Sequence, residues 1–244
     1  MNKIIVAIAA GIVGLCSLQA RADDGVKYSL DTDVAFNSAY VFRGTTLYDG
    51  VSIQPQAVGK ADFGDVGTLW ASIWNHDSAD NSDNTKRFTE EDFILGYKIP
   101  VDIVTLGAGY KWYRYQNNHP GLPETQEYFL SAGLDVMLAP TLTYYRDIDA
   151  RTFNYYELNF SHKLDEVCGL GDGFNVTPSV TFGFVSSATG VYEHGGLTYT
   201  TVGLSSETKL GDISVVPGVS YSFESDAATD NQFVAGVDFG YKWM

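Results

Sequence analysis

Residues 233–243 read Phe233-Val234-Ala235-Gly236-Val237-Asp238-Phe239-Gly240-Tyr241-Lys242-Trp243. Every second residue from Phe233 is apolar or aromatic. The residues between are mostly small or charged, with Asp238 and Lys242 among them. Successive side chains of a strand point to opposite faces, so the stretch predicts one two-faced β-strand. The pattern recurs upstream. Tyr28, Leu30, Thr32, Val34 and Phe36 alternate with Lys27, Ser29, Asp31, Asp33 and Ala35. Phe93, Leu95 and Tyr97 oppose Asp92 and Lys98, and Leu106, Ala108 and Tyr110 oppose Gly107, Gly109 and Lys111. Tyr128, Leu130 and Leu134 oppose Glu127, Ser131 and Asp135, and Tyr156, Leu158 and Phe160 oppose Glu157, Asn159 and Ser161. Val180, Phe182 and Phe184 continue the series, as do Val219, Tyr221 and Phe223.

About twelve such strands fit the chain, a number set by this rhythm. A soluble sandwich alternates too. Here, however, the apolar faces carry almost no charge, while the opposite faces mix Lys, Asp, Glu, Gly and Ser. That division suits lipid outside and a polar interior. Connections also alternate in length. Short ones fall near 63–65, 99–101, 138–140 and 210–212; long ones near 44–50, 75–90, 114–126, 146–152, 185–198 and 224–232. One short-side connection, 165–173, is longer. The expected fold is all-β: a transmembrane antiparallel up-and-down β-barrel of the bacterial outer membrane. Pro55, Pro178 and Pro217 fall inside strands on the outward face, each losing one ladder bond. Two registers stay open: at 66–75, Leu69, Ala71 and Ile73 compete with Trp70 and Trp74, and 141–146 is equally ambiguous.

The 244 residues suit one large β domain, and 16 Tyr, 14 Phe and 25 Gly favour strands and turns. Residues 1–22 read as a secretory signal peptide: Lys3, an apolar run over 4–18, then small residues at Ala20 and Ala22. Residues 23–244 form the expected barrel. A net charge of −15 repels phosphate backbones, so nucleic acid is not an expected partner. Beyond the signal segment only Cys168 remains, which excludes an intrachain disulfide.

At Ser38-Ala39-Tyr40-Val41-Phe42-Arg43-Gly44, followed by a polar loop and Val51-Ser52-Ile53-Gln54-Pro55, the chain resembles the Gcw_chp or TorF-like family of outer-membrane porins. The resemblance implies a barrel and a porin-like role. The aromatic end of the last strand also looks like the signal read by the barrel-assembly machinery. Continuing the first strand through this motif puts Arg43 in the lumen near the outer rim. Tyr40 and Phe42 then face lipid, in a girdle with Trp112, Tyr128, Tyr156, Tyr221 and Phe233.

Inward parity marks Asp31, Asp33, Arg43, Lys60, Glu90, Asp92, Lys98, Lys111, Glu127, Asp135, Glu157, Lys163, Lys209, Asp238 and Lys242 as candidate pore-lining residues. Lys60, Lys98, Lys163, Lys209 and Lys242 fall near the inner end and raise the idea of a basic ring below an acidic outer vestibule. The bland alternative pairs them with turn acids such as Asp62, Asp65, Asp165 and Asp212. No catalytic set is expected. Ser161 and His162 are adjacent, hence on opposite faces, and His76, His119 and His194 match no metal spacing. Asp77, Asp80 and Asp83 lack the EF-hand pattern, so no cofactor is expected. The sequence points to passive diffusion of ions or small hydrophilic solutes, with a weak cation preference. The alternative is a closed structural or adhesive barrel acting through its outer loops.

Overall fold

The computed structural model describes residues 25–79, 89–116, 123–151, 153–165, 175–189 and 191–243. Sixteen strands follow in chain order: β1 (Lys27–Asn37), β2 (Tyr40–Phe42), β3 (Thr45–Tyr48), β4 (Ser52–Asp62), β5 (Thr68–Ser78), β6 (Thr89–Val101), β7 (Val104–Gln116), β8 (Thr125–Leu134), β9 (Thr141–Asp147), β10 (Asn154–Ser161), β11 (Leu164–Asp165), β12 (Asn175–Val185), β13 (Gly196–Ser205), β14 (Thr208–Leu210), β15 (Ile213–Glu224) and β16 (Gln232–Lys242). Consecutive strands pair antiparallel from β4 to β10, and β10 pairs with β12. The circle closes where β1 meets β16, with Val34 opposite Phe239 and Asp31 opposite Lys242. The short β11 extends the hairpin that joins β10 to β12, and β14 runs on from β13 along β15, so the wall is a closed barrel of twelve strands.

The outward faces are those that the alternation predicts. Leu130, Tyr128 and Phe233 are 58%, 55% and 54% exposed. An apolar surface of that extent needs lipid against it. Pro55, Pro178 and Pro217 stand opposite the apolar Val34, Leu204 and Val237. The β4–β5 ladder is interrupted at Gln54 and Pro55, between the pairs Ile53–Asp77 and Gln56–Trp74. Both open registers resolve. Trp70 lines the interior and Trp74 packs on Tyr40 inside it, while Leu69 is exposed. Thr141, Thr143 and Tyr145 face in, and Leu142 faces out.

One expectation fails. The first strand does not run on through Tyr40 and Phe42 into the outer rim. β1 stops at Asn37, and the chain folds inward as the separate hairpin β2–β3. Tyr40, expected against lipid, is 6% exposed inside the barrel, its hydroxyl donating to Glu90 Oε2 at 2.9 Å. Phe42 meets Tyr113 edge to face at 5.8 Å. The reason is chemical. A phenol with a carboxylate partner is better matched inside than against hydrocarbon. The girdle is built instead from outward pairs such as Tyr110–Tyr128, Tyr144–Tyr156 and Tyr221–Phe223. The signal segment, Cys168, His119, Asp80 and Asp83 lie outside the described residues.

Candidate functional site

The hairpin tip is a two-residue turn between Phe42 and Thr45, with Arg43 at φ 51° and Gly44 at φ 78°. Two left-handed residues in succession make the tight turn that follows strand twist. Glycine is required at position 44, because a Cβ there would lie 2.6 Å from the Tyr199 side chain. Arginine is uncommon in this conformation and costs about 1–2 kcal/mol there. Contacts across the barrel offset that cost.

The Arg43 guanidinium meets Glu127 through two parallel bonds, Nη1 to Oε1 at 2.7 Å and Nη2 to Oε2 at 2.8 Å. Their side chains are only 7% and 3% exposed. The guanidinium carbon lies 4.1 Å from the Tyr155 ring centre and 4.5 Å from that of Tyr145. Tyr113 donates to Glu127 Oε2 at 2.7 Å, giving this carboxylate three bonds. Behind the tip, Gly44 C=O accepts from Asp230 N–H, and Thr45 Oγ1 donates to Ala228 C=O at 2.6 Å. The 225–231 loop therefore holds the hairpin from its outer side.

Three further polar groups flank it. Lys111 Nζ lies 2.9 Å from Asp92 Oδ2. Tyr155 donates to Tyr199, which donates to Glu157 Oε1 at 2.7 Å. Ser52 Oγ and His76 Nδ1 are 2.8 Å apart, with Tyr40 stacked 4.7 Å over the imidazole. This last pair resembles half of a hydrolytic site, but both residues are fully buried and out of reach of a substrate. Ser161 and His162 donate separate backbone bonds, to Leu138 and Pro178. Among the described residues no three His, Cys, Asp or Glu side chains are grouped to hold a metal.

The interior is not filled. A chamber of about 680 Å³ lies beneath the hairpin, lined by Arg43, Trp70, Phe129, Tyr145, Thr181 and Ser222 among others. It shares Trp70, Phe129 and Ser131 with a 340 Å³ cavity nearer the short turns, which Lys60 and Lys98 line. It shares Asn37, Ser220 and Val234 with one of 250 Å³ that reaches Asp238. On the loop side, a 110 Å³ cavity is lined by Phe42, Arg43 and Thr45 among others, and of these Phe42 and Arg43 also line the chamber. The hairpin tip is thus the partition between loop side and chamber.

Arg43, Glu90, Asp92, Lys111, Glu127 and Glu157 therefore gather at the long-loop half, around the hairpin. Asp31 pairs with Lys60. Asp33 and Asp238 lie on the neighbouring strands β1 and β16, with no cation paired to either among the described residues. The lysines at the turn end do not form a ring of free cations. Beyond Lys60, Lys163 is exposed past the end of β10 and pairs with Asp165, and Lys209 pairs with Glu207. Lys98 and Lys242 are exposed near the ends of β6 and β16, and Asp135 sits outside the strand, in the exposed turn after β8. Parity assigns the acids and bases of the barrel strands, but Arg43 enters from the hairpin and not from a continued first strand. Parity missed the tyrosine network of Tyr113, Tyr155 and Tyr199 because a tyrosine fits either face.

No family model and no curated protein matches this sequence. Solved barrels do match in shape. An outer-membrane channel from Pseudomonas putida F1 has a TM-score of 0.57 at 9% identity, over 88% of this chain and 95% of that one. LpxR from Salmonella typhimurium gives 0.55 at 11%, over 87% and 99%. The KdgM porin gives 0.50 at 11%, over 87% and 98%. At these identities the likeness shows the fold, a closed outer-membrane-type barrel.

Proposed function

We propose that this chain is a narrow outer-membrane channel for ions or small hydrophilic solutes, with the Phe42–Arg43 hairpin tip as its constriction. The observation that carries the reading is the series of cavities that share lining residues from the turn end to the hairpin. A filled twelve-stranded barrel would leave no such space. The fold supports a place in the bacterial outer membrane, with the short turns and termini on the periplasmic side and lipid on the outward faces. Insertion would use the assembly machinery that reads the last strand, and the Gcw_chp or TorF-like resemblance agrees with this role. A weak cation preference rests on Asp33 and Asp238, whose charges are not neutralised by a paired cation. Conductance of the folded protein in a planar bilayer under a KCl gradient tests the reading. Discrete steps with a cation-signed reversal potential are expected; an inserted but silent protein overturns it.

A second reading has its own observation. The buried two-bond contact between Arg43 and Glu127 would suit a permanently closed barrel working through its outer loops. Silence in wild type and in variants lacking that contact would favour it.

A further inference from the structure

The chamber beneath the hairpin has two unlike walls. On one, Trp70, Phe129 and Tyr145 stand in a row, with 6.2 Å between successive ring centres and tilts of 36° and 45°. The residue directly opposite Trp70 on β6 is Gly96, and opposite Phe129 on β7 is Gly109. A Cβ on Gly96 would fall 2.5 Å from Trp70 Cε2, and one on Gly109 would overlap the Phe129 ring. Each ring thus lies across the neighbouring strand and lines the chamber. The other wall carries hydroxyls: Thr181, Thr201, Ser220 and Ser222, with Thr201 and Ser222 2.7 Å apart.

We propose that this chamber binds a neutral saccharide. The C–H face of a sugar ring would lie on Trp70 and Phe129, since Arg43 already stacks on Tyr145, and its hydroxyls would meet the Ser and Thr wall. Aromatic faces beside a few convergent polar groups are what such a ring needs, and about 680 Å³ is within the usual size of a small-molecule site. Charge decides against an acidic sugar. Both cations that line the chamber already face carboxylates, Arg43 with Glu127 and Lys111 with Asp92. A sugar carboxylate would have to displace one of them or remain unpaired. The inference rests on the channel reading only for access, since the ligand reaches the chamber along the lumen.

The test is calorimetric and fluorescence titration of the folded protein in detergent, with maltose as probe and glucuronate as the acidic comparator. Saturable maltose binding with a change in tryptophan emission is expected, and Phe129→Ala should weaken it about three- to tenfold, the equivalent of one aromatic contact. Glucuronate should bind no tighter than maltose. Should Phe129→Ala fail to fold, judged by heat-modifiable gel migration, Thr201→Val with Ser222→Ala removes the facing hydroxyls and should weaken binding likewise. Absence of saturable maltose binding, affinity unchanged in the folded variants, or tighter binding of glucuronate would overturn the proposal. Conductance on the same preparation separates the two readings. Steps without maltose binding leave the channel and sink the chamber; binding by a silent barrel leaves the chamber and sinks the channel.

Discussion

Arg43→Ala is the substitution that most directly probes the constriction. It removes one partner of a buried ion pair and leaves Glu127 with only the Tyr113 hydroxyl. Breaking such a pair from one side costs about 3–5 kcal/mol. The two ring contacts, with Tyr145 and Tyr155, add about 0.5–2 kcal/mol each. The cost falls on the docking of the hairpin, because the barrel strands keep every ladder bond they have now. The lower end of the ion-pair figure alone, about 3 kcal/mol, shifts the ratio of docked to undocked hairpin by more than about a hundredfold. Larger single-channel steps than wild type are expected, together with faster hydrogen exchange at the amides of 40–48. Arg43→Lys should fall between, since it keeps the charge and loses the fork. The double variant Arg43→Met, Glu127→Leu should stay near wild type, because a well-packed apolar pair replaces a buried ion pair at little cost. If Arg43→Ala leaves both conductance and exchange unchanged, the hairpin is not held by this pair and the reasoning fails.

Three other outcomes follow from other parts of the molecule. Leu130→Arg puts a cation on the lipid face and should destabilise the barrel by about 2–4 kcal/mol near the membrane midplane, read as unfolding in vesicles, whereas Ser131→Arg, one residue on, should reduce conductance instead. Gly109→Val would drive side-chain atoms into the Phe129 ring, and lower thermal stability of about 1–3 kcal/mol in a gel-shift melt is expected. The third concerns the outer loops. Burial alone would push the Asp226 carboxyl up, but the N–H groups of Ala228, Glu193 and His194, with the His194 ring, outweigh it and hold it below its ordinary value. Stability from a depressed carboxyl is whole above its unfolded pKa and drains away as pH falls through the folded one. Exchange at Glu193 and His194 should therefore quicken only below about pH 4.

The barrel was legible in the sequence because lipid and lumen impose period two on every strand, and each strand repeats the same test. Leu130 beside Ser131, or Phe239 beside Asp238, leaves no doubt about which face is which. The hairpin was not legible for the converse reason. Tyr40 and Phe42 alternate with Val41 and Arg43 as a continuing strand would, and nothing local distinguishes a strand that runs on from one that folds inward. What decides is tertiary: Glu90, Glu127, Tyr199 and Asp230 come from four distant parts of the chain. Even the Arg43-Gly44 turn hid its nature, since asparagine or aspartate, not arginine, usually precedes such a glycine. Nor does local sequence show what covers the interior glycines: the rings of Trp70 and Phe129 lie over Gly96 and Gly109.

Counting charges by face leads to an acidic outer vestibule, and the pairing removes part of that count. Glu127 is neutralised by Arg43 and Asp92 faces Lys111, while Glu157 and Glu90 accept from tyrosines. A carboxylate 2.7 Å from its counter-ion acts on a passing ion as a dipole, and the field of a dipole falls away faster than that of a charge. Asp33 and Asp238, on the seam between the first and last strands, likewise have no paired cation among the described residues. A selectivity set there would be weak, since the exposed Lys98 lies in the same half of the barrel. The same neutralisation has an opposite consequence beneath the hairpin. With its cations already paired, the chamber offers a solute rings, hydroxyls and the Glu157 carboxylate but no free cation, so it would repel a sugar acid and fits an uncharged sugar.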